Sequence, residues 1–318
     1  MVDADAIESQ PVGYMAPPEE IPKLSVCVTT YNQEKYIRQC LQGIIDQRTS
    51  FSFEVIIGDD CSTDSTREII NEFQRTHPGT VRLLLQERNT GGTRNYLDVH
   101  ALARGTYVAH VDGDDLAFPG KLEAQVKALD ADPACVVVWH RMQVFNDCGS
   151  LSVPNLPGVA LWPDGKMQLR DALRFGSVGY HSSTMYRASA RKTKLLEGHA
   201  LDWFFTVELL CSGHGKYLEG ILGGYRFNPT TGISRVGDGP IRMRRLHAQH
   251  LRHYLRLLPT YRRDIFVHCL INCICDVRRR RPTWREFLRI ALSSFSLVGV
   301  FQLPASLRRL RLIYPRIL

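Results

Sequence analysis

The chain has 318 residues, 44% hydrophobic and 23% charged, a composition that excludes wholesale disorder, collagen-like repeats and a polytopic membrane protein. Its length suits two folded units, or one large domain with an appendage. The net charge of +8 is unevenly placed: residues 241–318 hold 17 Arg, no Lys and three acidic residues, a net of +14, against −6 for the rest.

The nine cysteines are odd in number and scattered, and no charged-then-apolar leader opens the chain. Reduced thiols in a cytoplasmic protein are therefore expected. Cys269, Cys273 and Cys275 lack the paired spacing of a zinc site and sit among apolar residues, so they read as buried thiols. Residues 1–22 contain four prolines and no sustained periodicity, and are expected to form a mobile leader.

Folding is expected to begin near Lys23. LSVCVTT reads as a strand covered on both faces, and Ile37, Leu41, Ile44 and Ile45 follow at helical spacing. FEVIIG and STDSTREIINEF form a second strand–helix unit, with Ser62 or Asp64 as helix cap and Ile69, Ile70 and Phe73 facing inward. VRLLLQE and YVAHVD repeat the strand pattern around a short helix over 95–103. This alternation predicts a parallel sheet with right-handed crossovers, a doubly wound nucleotide-binding half. KLEAQVKALD is a short amphipathic helix and ACVVVWHRMQVF a long strand; between residues 147 and 180 periodicity weakens, as in a flexible substrate-side region.

The strongest local signal is VDGDD, with Asp112, Asp114 and Asp115 at the end of an apolar strand. Three carboxylates within four residues repel one another unless a cation sits among them, and hard oxygen ligands suit Mg²⁺ or Mn²⁺ holding a diphosphate. An acidic turn is the alternative. Asp59 and Asp60 end an earlier strand, and a doubly wound sheet brings both clusters to one crevice outside the strands' carboxyl ends. A carboxylate there can accept the imide N–H of a uracil ring, while Asp59 and Asp64 also suit turn and cap roles.

SVCVTTYNQEKYIRQCLQGIIDQ, FEVIIGDDCSTDST, NTGGTRN, GTYVAHVDGDD with PGKLEAQV, and DWFFTVELLCSGHGKYLEGILGGYR together resemble family 2 glycosyltransferases with the GT-A fold, inverting enzymes that use nucleotide sugars. The motifs run in order over about residues 24–228. The resemblance implies Thr29 and Tyr31 beside the nucleobase, Asp60 on the base N–H and Arg94 near the donor diphosphate. It makes residues 112–115 the DxD element, with Asp114 and Asp112 on the metal and Asp112 and Asp115 contacting ribose, metal-bound water or sugar. Asp202 matches the position of the base that takes the acceptor hydroxyl's proton; its aromatic neighbours could raise its pKa, and it also suits a helix N-cap. Leu201 and Asn228 depart from the family pattern, the second placing a diphosphate contact in doubt. His181, His199 and Trp203 are weaker candidates, better suited to structural roles.

From Ile241 the chain turns helical and basic. Leu251, Tyr254, Leu255 and Leu258 share one face; Arg242, Arg245, Arg252 and Arg256 gather on another. The uncharged run 290–307, flanked by Arg, falls slightly short of a span and suits shallow insertion into an anionic membrane surface; a solvated cationic face over ordinary packing is the alternative. The expected protein has an α/β GT-A nucleotide-binding sheet with flanking helices over 23–235, divided into a nucleotide half (23–118) and an acceptor half (119–235), plus a basic helical tail over 236–318. Its expected partners are a nucleotide-sugar donor, UDP-linked by preference, a saccharide or polyprenyl-linked saccharide acceptor, Mn²⁺ or Mg²⁺, and the inner face of the cell membrane. A nucleic-acid-binding role is disfavoured because no aromatics interleave the RRRR run at 278–281, and an inactive scaffold because Asp60, Asp112, Asp114 and Asp202 are intact.

Overall fold

The computed structural model describes residues 21–147, 149–152, 162, 165–176, 179–191, 200–227 and 238–313. Most of the expected leader, much of the weakly periodic stretch after residue 147, His199 and Asn228 lie outside the described residues.

The first half is built from strand–helix repeats. β1 (Leu24–Thr30), β2 (Phe53–Asp59), β3 (Val81–Leu85) and β4 (Tyr107–Asp112) are parallel, in the order β3-β2-β1-β4, and are joined by α1 (Ile37–Ile45), α2 (Thr66–Thr76) and α3 (Gly92–Ala101). The doubly wound reading holds here. Beyond β4 the sheet becomes mixed: β9 (Met185–Arg187) runs antiparallel between β4 and β6 (Cys135–Asn146), β10 (His214–Arg226) is parallel to β6, and β5 (Leu116–Ala117) pairs antiparallel with β10. β7 (Gly149–Ser152) and β8 (Lys166–Met167) add to β6 and β10.

Alternate side chains of each strand enter different cores. Leu24, Val26 and Val28 of β1 join Ile37, Leu41 and Ile44 of α1 on one face, whereas Cys27 joins Trp139 of β6 on the other. The unbroken apolar run of β1 therefore follows from a sheet covered on both sides. α4 (Lys121–Asp130) packs Leu122, Val126 and Leu129 under the first face.

The basic tail forms α7 (Gly239–Leu257), α8 (Arg262–Arg278), α9 (Trp284–Ser293) and α10 (Leu297–Ile313). Its apolar stripe packs on the protein itself. Ala248, Leu251 and Tyr254 share a core with Trp203, Phe204 and Val207 of α6 (Asp202–Leu210), and the Tyr254 hydroxyl donates to the Phe204 carbonyl at 3.0 Å. Arg174 of α5 (Leu169–Phe175) pairs with the buried Asp264 of α8 at 2.5 Å. Each large apolar side chain so buried contributes about 1.5–3 kcal/mol. Cys269 and Cys275 are buried thiols, as expected, whereas Cys273 is only half-buried. The run 290–307 is divided by a break after Ser293, and among the described residues no helix is long and apolar enough to cross a membrane.

Candidate active site

The register of the parallel strands sets the site. Thr29 lies opposite Asp112, and Thr30 opposite Asp59, so both acidic clusters reach the same carboxyl edge on either side of β1.

The β2 cluster is filled by the protein's own donors. The buried Asp59 carboxylate accepts from Arg67 Nε at 2.6 Å, from the Ser62 backbone N–H at 3.0 Å and from the Ser62 hydroxyl. Asp60, also buried, accepts from the Thr90 N–H (2.7 Å) and hydroxyl (2.9 Å) and from the Gly91 N–H (2.9 Å), which ties β2 to the loop before α3. Ser65 rather than Ser62 or Asp64 occupies the N-cap of α2, although Asp64 Oδ1 still accepts from the Thr66 N–H at 3.0 Å. Cys61, next in the turn, holds a left-handed φ of 64°.

The β4 cluster is different. Asp112 Oδ1 accepts from the Thr29 hydroxyl at 3.3 Å and lies 3.1 Å from His110 Nε2, while Oδ2 has the Ser182 hydroxyl at 3.4 Å. Burial opposes its charge, but His110, His181 and Thr29 outweigh that and hold the carboxyl below the ordinary range. Asp114 goes the other way: burial first, and then the Asp112 charge, raise it to about 6. Asp115 is 1% exposed; Oδ1 accepts from the Arg226 N–H at 2.8 Å and, among the described residues, Oδ2 has no hydrogen-bond partner. Burial and the neighbouring Asp114 and Asp112 push its carboxyl well up. Gly113 allows this tight turn, since a Cβ there would meet Gln33 Oε1 at 2.4 Å and the Thr29 carbonyl oxygen at 3.1 Å.

These residues fit a hard divalent cation. The three carboxylates are mutually repelling, two of them raised, and one buried oxygen lacks a partner, which is the donor set such an ion neutralises. Among the described residues His110, Asp112 and His181 bring ligand atoms within 4.8 Å of one another, but His110 Nε2 is already taken up with Asp112 Oδ1 at 3.1 Å, which leaves Asp112 and His181 to face an ion. Two buried cations lie close by. Lys121 Nζ donates to the Ser182 carbonyl at 2.6 Å, and burial lowers it to about 8. Arg226 donates from Nε to the Asp114 carbonyl at 3.0 Å and pairs with Asp147 at 2.6 Å, its guanidinium 4.2 Å from the Tyr36 ring centre.

The remaining candidates are more exposed. Tyr31 is 45% exposed at the end of β1. Arg94, in the first turn of α3, pairs with Asp98 at 2.8 Å. Asp202 is exposed at the first residue of α6; the N-cap is Leu201, with no side-chain capping bond, so the cap role expected for Asp202 is not observed. Its aromatic neighbours turn away: Trp203 is buried and donates from Nε1 to the Ala172 carbonyl at 2.9 Å, a packing role. The segment before Asp202 is fastened to α3, where the Ala200 N–H donates to the Thr93 hydroxyl at 3.2 Å, and the Asp202 charge acts on His110 and Tyr96. The segment before Asp202 thus meets α3, and the Asp202 charge is felt at His110, which lies 3.1 Å from the β4 carboxylate Asp112. Gln33, His110 and Ser182 join the β4 carboxylates without any local motif to mark them.

Known proteins resemble this chain in sequence and in fold. An uncharacterized protein of Mycobacterium tuberculosis is 44% identical over 207 residues, 64% of this chain and 58% of that protein. The Escherichia coli chondroitin synthase is 34% identical over 209 residues, 64% of this chain and 29% of its own length. The chain thus spans little more than half the length of the first and less than a third of the second. Among solved structures, S. aureus TarS with UDP-GlcNAc matches with a TM-score of 0.60 at 20% identity, covering 93% of this chain and 82% of that one. The Pyrobaculum calidifontis mannosyltransferase PcManGT with GDP-Man and Mn²⁺ matches with a TM-score of 0.54 at 19% identity, covering 96% and 85%. These likenesses establish the GT-A fold. The model of glycosyl transferase family 2 matches residues 25–192, more than half of the sequence, and the chain belongs to that family.

Proposed function

We propose that this glycosyltransferase inverts the anomeric centre as it moves a sugar from a nucleoside diphosphate sugar, UDP-linked by preference, to a saccharide or polyprenyl-linked saccharide acceptor in surface polysaccharide or glycolipid synthesis. The observation that carries the reading is the β4 edge, where carboxylates are raised by burial and by each other, with the charge of the exposed Asp202 acting on His110 behind them. Asp114 and Asp112 would hold Mn²⁺ or Mg²⁺, which would supply charge neutralisation at the departing diphosphate. Asp202 takes the acceptor hydroxyl's proton on the face opposite the leaving group. Thr29 and Tyr31 flank the base, Asp60 receives its imide N–H, Arg94 lies near the diphosphate and Asp115 near ribose or sugar. The fold neighbours named for UDP-GlcNAc and GDP-Man complexes support a nucleotide-sugar donor, and the chondroitin synthase supports a saccharide acceptor. Thermal shift with UDP, GDP, TDP and CDP, each with Mn²⁺, tests the donor: UDP should stabilise most. Stabilisation by CDP alone would contradict the reading, because neutral cytosine lacks the imide proton.

A membrane location at the cytoplasmic face has its own support. Leu292, Phe295, Leu297, Val298, Val300 and Phe301 are all exposed, Phe301 by 76%, around the break between α9 and α10, with exposed Arg289 and Arg308 on either side. Apolar insertion and an attraction of about 1 kcal/mol per Arg would act together on an anionic bilayer. Leu297→Ser with Phe301→Ser should cut co-sedimentation with phosphatidylglycerol vesicles and leave nucleotide binding intact; unchanged pelleting would contradict it.

A further inference from the structure

Behind the β4 carboxylates lies a chain of buried polar side chains that the reaction above does not use. The Tyr186 hydroxyl is 2.7 Å from His100 Nδ1, His100 Nε2 is 3.0 Å from His110 Nδ1, and His110 Nε2 is 3.1 Å from Asp112 Oδ1. Tyr186, His100 and His110 are each at most 2% exposed. With both rings neutral, which their burial favours, the Asp112 end fixes the direction of every bond. An ionised carboxylate only accepts, so His110 carries its proton on Nε2 and accepts at Nδ1; His100 then donates from Nε2 and accepts at Nδ1, and Tyr186 donates its O–H. Each ring nitrogen then has a partner. The rings are also clamped: Tyr96 stacks on His100 at 3.9 Å between centroids, and His181 lies over His110 at 3.9 Å.

We propose that Tyr186, His100 and His110 form a positioning relay that saturates Asp112 Oδ1, together with Thr29, and so presents Oδ2 to the donor. The relay rests on the reading of Asp112 as a donor contact. It acts through Asp112 and touches neither sugar nor nucleotide. Ser25 with Glu54, another buried polar pair on β1 and β2, faces Arg82 and Arg104 at the opposite sheet edge and has no such line to the site.

Four measurements test it on the full chain, with whichever of UDP, GDP, TDP and CDP the wild type binds best in Mn²⁺. By calorimetry, His110→Phe should weaken nucleotide binding about 10-fold, the usual lower bound for losing a supporting partner behind a ligand-binding group. His110→Gln, whose amide can reach Asp112, should recover most of that affinity. Tyr186→Phe should weaken binding by a smaller factor, about two- to threefold. Long-range ¹H–¹⁵N spectra of the wild type should show His100 and His110 both protonated on Nε2. Affinity within twofold of wild type for His110→Phe, equal losses in the Gln and Phe variants, or an Nδ1–H tautomer at His110 would each overturn the relay. If the wild type bound none of the four nucleotides, the donor reading would fall and the relay's purpose with it, even with the tautomers as assigned.

Discussion

The carboxyl ends of β2 and β4 both carry adjacent aspartates, yet one pair is satisfied by the protein and the other group is not. At β2, Arg67, Ser62, Thr90 and Gly91 donate to Asp59 and Asp60. At β4, Asp112 is held ionised by histidines and hydroxyls, while Asp114 and Asp115 are raised by burial and mutual repulsion. The difference separates Asp59, which builds the fold, from the β4 carboxylates, which await a charge from outside; Asp60, tied to Thr90 and Gly91, keeps acceptor capacity for a base N–H.

Substitutions should divide along the same line. On the proposed reading Asp114→Ala removes a metal ligand, worth several kcal/mol of leaving-group stabilisation, and should cut transfer about 10³-fold or more while leaving thermal stability near wild type. Wild-type turnover in that variant, with EDTA equally harmless, would end the metal role. Asp202→Asn should lower transfer by at least about 10²-fold and keep donor binding, because the amide cannot take a proton. Since Asp202 makes no capping bond, its melting temperature should hold; an unfolded variant would argue for a structural role instead.

At β2 the effect should fall on stability. Asp59→Ala strips the carboxylate from Arg67, a partner about one-third exposed, and should cost about 2 kcal/mol in denaturant unfolding, less than a fully buried pair. Loss of donor binding without loss of stability would move Asp59 into the site.

The pH response sharpens the contrast. Asp114, raised to about 6 by burial and Asp112, binds a proton more tightly in the fold than in the unfolded chain. Its contribution to stability is therefore fully present below about pH 4 and is lost as pH rises through about 6. The deprotonated form is the one that binds a cation, so stabilisation by Mn²⁺ in scanning fluorimetry should be larger at pH 7.5 than at pH 5. An equal shift at both values would be inconsistent with Asp114 as a ligand. The smallest change expected is from Cys61→Gly, which relieves the left-handed φ of 64° and should alter stability by about 1 kcal/mol or less, partly offset by chain entropy.

Much of the site was legible in the sequence because acids at strand ends converge in a doubly wound sheet whatever the loops do. VDGDD and IIGDD could be placed at one edge from strand pattern alone, and the register of Thr29 with Asp112 bears that placement out. His110 was not legible. In YVAHVD it sits in an apolar strand and looks like any core histidine; its role depends on His100 ten residues earlier and Tyr186 from β9. The tail was half legible for a different reason. An apolar helical stripe reads alike whether it covers lipid or protein, and Leu251 and Tyr254 turned out to cover α6, while the exposed apolar residues lie farther on, around Phe295 and Phe301. Cutting the chain at residue 241 would thus uncover Trp203 and Phe204, and point substitutions separate the two roles more cleanly than truncation.

The central claim, that the β4 edge takes a cation together with a nucleoside diphosphate, is tested most directly by the electron paramagnetic resonance of Mn²⁺. On adding protein and UDP, the six-line signal of free Mn²⁺ should fall beyond the loss caused by UDP alone, and Asp114→Ala should abolish that extra loss. UDP binding by the wild type with no uptake of Mn²⁺ would contradict the account.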